Sequence, residues 1–562
     1  MTGMKRAGEV LLFAAVFGVA GAPPRARACG GLFCSSPATV VNQTAEQILF
    51  VDHSDNTITA VIQIMYDGPS DKFAWVLPVP GTPKIAISSD SAFTLLRRAT
   101  DPSYQLRRNQ PTCDGKGSRT SFSGFADGGV GRGGPVTVRA SGAIGPYDYR
   151  VIELDPALPD AAQVGLDWLT DNGYDVGDLG PDVLRPYLQD RLNLLAFKLT
   201  KDGEAGSIRP VMITYEGELA SIPIRPTAVA ANDDMGVLVW VLGDSRAVPQ
   251  NYKALELNET LINWFNPMSN YDEVVTRAAD EAQGQGFVTE YAGPHAGLPL
   301  GIFTSDDRKL WDDFRRGQTE QDGTAIWVQD AIRNWGDWQG FDEAFAGALT
   351  ALPRQVSAGD VKADPARFLT DPPRADVGFE RQRFVDQLAQ WVIDPLAETQ
   401  RLFEERPYLT RLYTTLSPAE MTTDPNFVFN PDLGTISNVH TADMMLGCES
   451  PNYRVQLPDG KTINGDGQTP WPLTMDGAPA ALRIMEYGTR GEGRVLEDRT
   501  AEVDLLLARH NRSVQGPGDE GCAVSAIAAS RPRLSALWIV AAAALTARRR
   551  RQRHAASESS DD

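Results

Sequence analysis

The hydrophobic period of this chain changes partway along, and that change limits the folds open to it. Up to residue 271 the apolar residues come in short β-branched and aromatic runs: 47–51, 57–66 (TITAVIQIMY), 73–79 (FAWVLPV), 211–215 and 237–242 (VLVWVL). Runs of that length, punctuated by Asp-Gly and Pro, predict strands. Beyond 271, the stretches 274–283, 309–316, 325–334, 341–352 and 379–405 carry apolar residues every three or four positions, the spacing of helices that bury one face. A short helix is predicted over 161–169, stopped by Asn172-Gly173, and 186–199 reads as helix then strand. Residues 113–146, rich in Gly and poor in apolar side chains, predict a long surface loop. From 417 the chain returns to turns and extended pieces. The expected class is α+β: a β-rich N-terminal half, then a helical segment, then a β-leaning C-terminal part.

Both ends carry apolar tags beside cations. Lys5 and Arg6 precede an apolar run over 10–20, and Ala26-Arg27-Ala28 stands before Cys29. That order predicts a secretory signal cut after Ala28; a lipoprotein-type Cys29 is the competing reading, and Arg27 argues against it. At the other end Gly521-Cys522 is followed by an apolar run over 534–547 and then Arg548 to Arg551. As a helix that run spans about 21 Å, short of a hydrocarbon core of about 30 Å, so it suits a transient sorting tag better than a permanent anchor. The expected segments are a signal at 1–28, a β-rich domain at 29–300, a helical segment at 301–416, a mixed part at 417–520 and a membrane-directed tail at 521–562. The expected location is the cell envelope, by export, with the tail as the contact to membrane.

Charge excludes one class of partner. The formal total of −20 comprises +3 on 1–28, +4 on 523–562 and −27 on the body between them. A body that negative repels nucleic acid phosphates. With 42% hydrophobic and 22% charged residues, wholesale disorder is excluded as well. Five cysteines are present. Setting Cys522 aside as the sorting or lipidation candidate leaves Cys29, Cys34, Cys113 and Cys448 as disulfide candidates with three possible connectivities. The histidines, at 53, 295, 440, 510 and 554, are too scattered for a zinc motif.

Several motifs tempt and fail. Gly243-Asp244-Ser245 resembles a hydrolase nucleophile block, yet none of the histidines has Asp three residues before it, so a polar turn after a strand is the expectation. The GxGxxG at 129–134 has no preceding strand. Asp171, Asp175, Asp178 and Asp182, and again Asp459, Asn464 and Asp466, offer oxygen ligands without the calcium-loop spacing. Trp311, Trp327, Trp335, Trp338 and Trp391 fall in the helical part and are expected to fill a core before they form a sugar platform. No catalytic, metal or cofactor-binding residue is predicted.

Residues 29–34 (CGGLFC), Gln63 to Gly68, 73–80 (FAWVLPVP), 167–174 (DWLTDNGY) and 288–293 (VTEYAG) together resemble the bacterial family called domain of unknown function 2330. The resemblance covers roughly 29–300 and extends through 409–422 (LTRLYTTLSPAEMT). It implies export and frequent membrane attachment, and no catalytic residue. The C-terminal tail resembles the myxobacterial C-terminal sorting signal, which implies cleavage near the cysteine; a plain membrane helix is the alternative. Three functions stay open: a non-catalytic envelope binding or structural module with an unknown cell-surface ligand, a secreted hydrolase acting on wall polymer or protein, and a calcium-stabilised adhesin-like module.

Overall fold

A computed structural model describes residues 42–514 apart from 68–73, 110–136, 145, 156–157, 175–178, 200–208, 218–219, 318–322, 370–375, 447–451, 468–470 and 472–476. The five cysteines, the 129–134 motif, and the signal and tail segments lie outside the described residues. So do Asp175 and Asp178 of the first acidic turn. Among the described residues no helix is long and apolar enough to cross a membrane.

The fold is α+β and centres on a ten-stranded mixed sheet. Its spatial order runs Arg494–Asp498, Ala481–Glu486, Lys253–Leu257, Gly286–Pro294, Tyr408–Leu416, Ala231–Gly243, Asn42–Asp52, Thr57–Asp67, Val211–Glu216 and Lys84–Ile87. Strands before residue 300 and strands after 407 therefore share one sheet. At its middle, Ala231–Gly243 pairs parallel with Asn42–Asp52 and antiparallel with Tyr408–Leu416. The VLVWVL run lies here because a central strand covered on both sides needs apolar residues at every position. Val237, Val239 and Val241 face one core, while Leu238, Trp240 and Leu242 face another.

The first face is covered by a four-stranded sheet, Ala74–Val79, Asn193–Leu199, Tyr147–Glu153 and Thr137–Ile144, and by the helices Ala161–Asp171 and Pro181–Gln189. Here the loop expected over 113–146 is corrected: 137–144 is a strand, paired with 147–153. Its Gly142 sits under the Tyr149 ring, which explains why an apolar-poor, glycine-containing stretch still enters a sheet. The DWLTDNGY motif is a helix stop. Gly173, at φ +69°, lets the Tyr174 N–H reach the Leu169 carbonyl at 2.8 Å, closing the helix end. The Asn172 side chain donates to the Trp168 carbonyl (2.8 Å), accepts from Arg150 (3.1 Å), and its carbonyl accepts from the buried Lys198 ammonium. Its work is structural.

The opposite face carries the helical layer: Asp90–Thr100, Ser305–Gly317, Thr324–Trp335, Phe341–Ala348, and the pair Arg381–Leu388 and Asp394–Glu405. The period-based reading placed all of these but the first. The helix expected over 341–352 ends at 348, where 349–351 turns into a short strand against Gly378–Phe379. Residues 389–393 form a π-helical turn inside the 379–405 stretch, and the buried Arg209 donates to the Trp391 carbonyl there. Trp311, Trp327 and Trp335 are core residues, with the Phe314 and Trp327 rings stacked at 4.5 Å, and Trp338 and Trp391 pack half-buried against them.

A third core fills the far half of the sheet, between the helix Tyr271–Glu281 and a second four-stranded sheet made of Thr462–Gly465, Tyr453–Gln456, Val439–Leu446 and Ser103–Asn109. The terminal helix Thr500–Ser513 joins it through Leu507. At its start Asp498 accepts from the Thr500 N–H (2.9 Å) and from Arg483 (3.0 Å). Thr500 and Arg483 hold this carboxyl down at about 2, against an ordinary 3.8. A carboxylate lowered on folding contributes stability above its unfolded value and loses it as pH falls through the folded one. Hydrogen-exchange protection of 500–513 is therefore expected to decline as pH drops from 3.8 to about 2, and Asp498→Asn should remove that dependence.

Candidate functional site

Where the third core meets the sheet, two strands each bring one charged side chain into an apolar interior. Gly286–Pro294 runs antiparallel to Tyr408–Leu416, with Thr289 opposite Leu412 but Tyr291 opposite Arg411. Glu290 is the extra residue of that β-bulge, a device that breaks the ladder locally and re-aims a side chain. Its carboxylate accepts from the Arg411 Nε at 2.5 Å and from the hydroxyl of Tyr271, first residue of the helix 271–281, at 2.5 Å. Arg411 also pairs with Asp101 at 2.6 Å and donates to the Thr100 hydroxyl at 3.0 Å. Thr100 in turn accepts from the Trp240 indole at 3.0 Å and donates to the Leu96 carbonyl at 2.6 Å. The chain of contacts thus runs from the helical layer, through the sheet, into the third core.

Burial lifts the Glu290 carboxyl above its ordinary value, against the pull of Arg411 and Tyr271. Burial alone would lower Arg411, but Glu290 and Asp101 outweigh it and hold the guanidinium above its ordinary value. The Tyr271 and Tyr104 hydroxyls are pushed well up, first by burial and then by nearby carboxylates.

Two cavities flank this network and share Pro102, Tyr104, Tyr271 and Glu290 as a common wall. The larger, about 440 Å³, is lined by Leu255, Leu257, Val288 and Ile436 together with Arg246, Glu259, His440 and Tyr487. Across its wall the His440 ring stacks on Tyr104 at 4.5 Å, and its Nδ1 lies 2.5 Å from Glu259. The smaller cavity, about 320 Å³, is lined by Gln47, Arg97, Arg411 and Tyr413 among others, under the exposed Met268. Gln47 is buried there and its side-chain oxygen has no partner. A third cavity, about 400 Å³, lies on the first face beside the Arg225–Asp424 pair at 3.0 Å.

Five acids around the two linked cavities are held in pairs. Glu259 pairs with His440, Glu256 with Arg483 at 2.9 Å, Asp459 with Lys461, and Glu290 and Asp101 with Arg411. Asp272 accepts from the Tyr413 hydroxyl at 3.3 Å.

The motifs singled out by sequence land elsewhere or do structural work. Asp244 of the Gly-Asp-Ser turn is exposed and pairs with Arg406 at 2.9 Å. His53 lies between Glu405 (2.7 Å) and the Thr59 hydroxyl (2.8 Å), an acid–imidazole–hydroxyl line whose Thr59 is sealed in the sheet beside Thr214. His295 and His510 are bonded to backbone carbonyls. Asp182 pairs with Arg185. Asn464 bonds the backbone of 511 and 514 and accepts from Arg454, while Asp459 is turned to Lys461. Among the described residues no group of three or more His, Cys, Asp or Glu is placed to hold a metal ion.

Glu290 and Arg411 were not singled out from sequence, although both stand in stretches that carry the family resemblance. The signal was there: a single charge inside an apolar strand, in FVTEYAG and again in LTRLYTTL, has to meet a partner when the strand is covered on both faces. A family model described as "Uncharacterized protein conserved in bacteria (DUF2330)" matches residues 23–307, just over half of the 562. No curated protein matches the chain.

Proposed function

The chain belongs to the DUF2330 family of uncharacterised proteins conserved in bacteria, and on that premise we propose that it is a non-catalytic binding protein of the cell envelope whose small-molecule ligand sits in the linked cavities around Tyr104, Tyr271 and Glu290. The observation that carries this reading is the pairing just described. A cavity of about 440 Å³ falls in the size range of ligand sites, and the acids on its wall are locked to cations or hydroxyls, which suits fixed recognition geometry. Export rests on the predicted signal at 1–28, and attachment on the tail at 521–562 with Cys522 as its processing or lipidation point. Cys29, Cys34, Cys113 and Cys448 would form disulfides in that compartment.

One observation favours a second reading, a hydrolase. His440 faces the larger cavity with Glu259 fixed on its Nδ1, the arrangement of a general base whose orientation is set by a carboxylate. Without a Ser or Cys on the described lining, such a base would act on water.

The test compares small molecules released by denaturing the full-length protein, purified in non-ionic detergent from its own cells, with those from Met485→Trp. Met485 is half-buried on the lining of the larger cavity, so an indole there intrudes on the space a ligand would occupy. The expected result is a compound present in the first extract and missing from the second. Empty extracts from both would sink the binding reading. Turnover of a peptide or polysaccharide panel, lost in His440→Ala, would establish the hydrolase in its place.

A further inference from the structure

We propose that the larger cavity recognises the carboxylate of an amphipathic monoanion, and that Arg246 is the residue that receives it. The inference rests on the binding reading above and assigns the ligand's chemical class.

Arg246 opens the short strand Arg246–Pro249, just beyond the Asp244-Ser245 turn, and lies opposite Asn430. It is 8% exposed and lines the larger cavity. Its Nε has no hydrogen-bond partner; the guanidinium reaches the Thr289 hydroxyl through Nη2, at 3.5 Å, and has the Tyr487 hydroxyl as a second neutral partner. No carboxylate among the described residues pairs with it. The other two buried arginines among the described residues are satisfied: Arg411 holds two carboxylates, and Arg209 donates to the carbonyls of Ser88 and Trp391. A buried guanidinium without a counter-charge is costly, and a cavity at its edge supplies room for the missing anion.

The geometry selects the anion. A planar guanidinium takes a carboxylate through two parallel hydrogen bonds, and Arg246 is on the lining. Glu256, Glu259 and Glu290 line the same cavity, so a dianionic phosphate would meet more repulsion than a single carboxylate. The Tyr487 ring packs on the guanidinium at 5.4 Å and closes one side. Its loop is tied down, because Asn430 donates to the carbonyls of Gly488 (2.8 Å) and Gly491 (3.0 Å), and Asp432 accepts from the Gly491 N–H at 2.7 Å. The lining also carries Leu255, Leu257, Val288, Ile436 and Leu482, which fits a hydrocarbon or aromatic body on the same ligand.

The experiment titrates the full-length protein in non-ionic detergent with acetate, hexanoate, hexan-1-ol and hexylamine at matched ionic strength, following the melting temperature and the binding heat. Hexanoate is expected to bind and to raise the melting temperature more than acetate, while the alcohol and the amine do neither. In Arg246→Met the hexanoate affinity should fall about tenfold or more, the worth of a charge-assisted pair. The same variant without ligand should melt at or above the wild type, since it exchanges an unpaired charge for apolar packing. Should Arg246→Met fail to fold, Arg246→Gln carries the same affinity comparison. Equal stabilisation by hexanol and hexanoate, an unchanged hexanoate response in the variants, or no response to either carboxylate would overturn the inference. A neutral or cationic compound in the wild-type extract, lost in Met485→Trp, would also overturn it while leaving the binding reading standing.

Discussion

Replacing Arg411 with methionine is expected to lower the unfolding free energy by about 3–5 kcal/mol, the usual consequence of stranding one member of a buried ion pair. The effect should be lopsided between its two acids. The Glu290 side chain is 1% exposed and that of Asp101 is 54% exposed. Asp101→Asn should therefore cost about 1 kcal/mol or less, as water screens that leg. Combining Glu290→Gln with Arg411→Met should recover part of the loss, because the stranded carboxylate is then gone. The pH dependence follows from the upward shift of Glu290. A carboxyl raised on folding favours the folded state when protonated, so stability grows as pH falls from its folded value toward the unfolded one. With Arg411 removed, nothing but Tyr271 opposes that upward push, and the deficit of the variant should narrow as pH falls toward 4.5. Urea unfolding of the full-length protein across that range checks each point. Equal losses for Asp101→Asn and Glu290→Gln would show that the pair is not the anchor described here.

Trp240→Ala is expected to cost about 3–5 kcal/mol, a large-to-small change in a core that can only partly collapse. The indole is fully buried, lies 5.8 Å from the Phe93 ring and 5.5 Å from the Arg411 guanidinium, and donates to Thr100 at 3.0 Å. Its removal weakens both the helical layer and the support behind the candidate site. Trp240→Phe keeps most of the packing and loses the indole N–H, at about 1 kcal/mol. It should also leave hexanoate binding unchanged, since Trp240 is not on the lining of the cavity that holds Arg246. Urea midpoints of the two variants separate packing from hydrogen bonding, and similar losses for both would place the weight on the hydrogen bond to Thr100.

The two predictions differ in how far sequence could have led to them. Trp240 sits in VLVWVL, a run legible as a strand covered on both faces. Glu290 and Arg411 lie 121 positions apart, each an isolated charge in an apolar strand. Each shows that a partner is needed, yet neither says which. The helix Asp90–Thr100 escaped because its short apolar face follows a strand-rich stretch and its exposed side carries Arg97 and Arg98. The terminal helix Thr500–Ser513 escaped because only Val503 and Leu507 are buried, too weak a stripe to read against its polar neighbours.

By itself the chain determined its element types through local period: alternating runs before residue 271, helical spacing from 305 to 405, and a helix stop at Asn172-Gly173. Those signals are local because backbone geometry repeats over a few residues. Which strands became neighbours, which acid met Arg411, and that Arg246 met none were decided only in three dimensions. Such pairings join segments hundreds of residues apart, and the register that joins them depends on burying three cores at once.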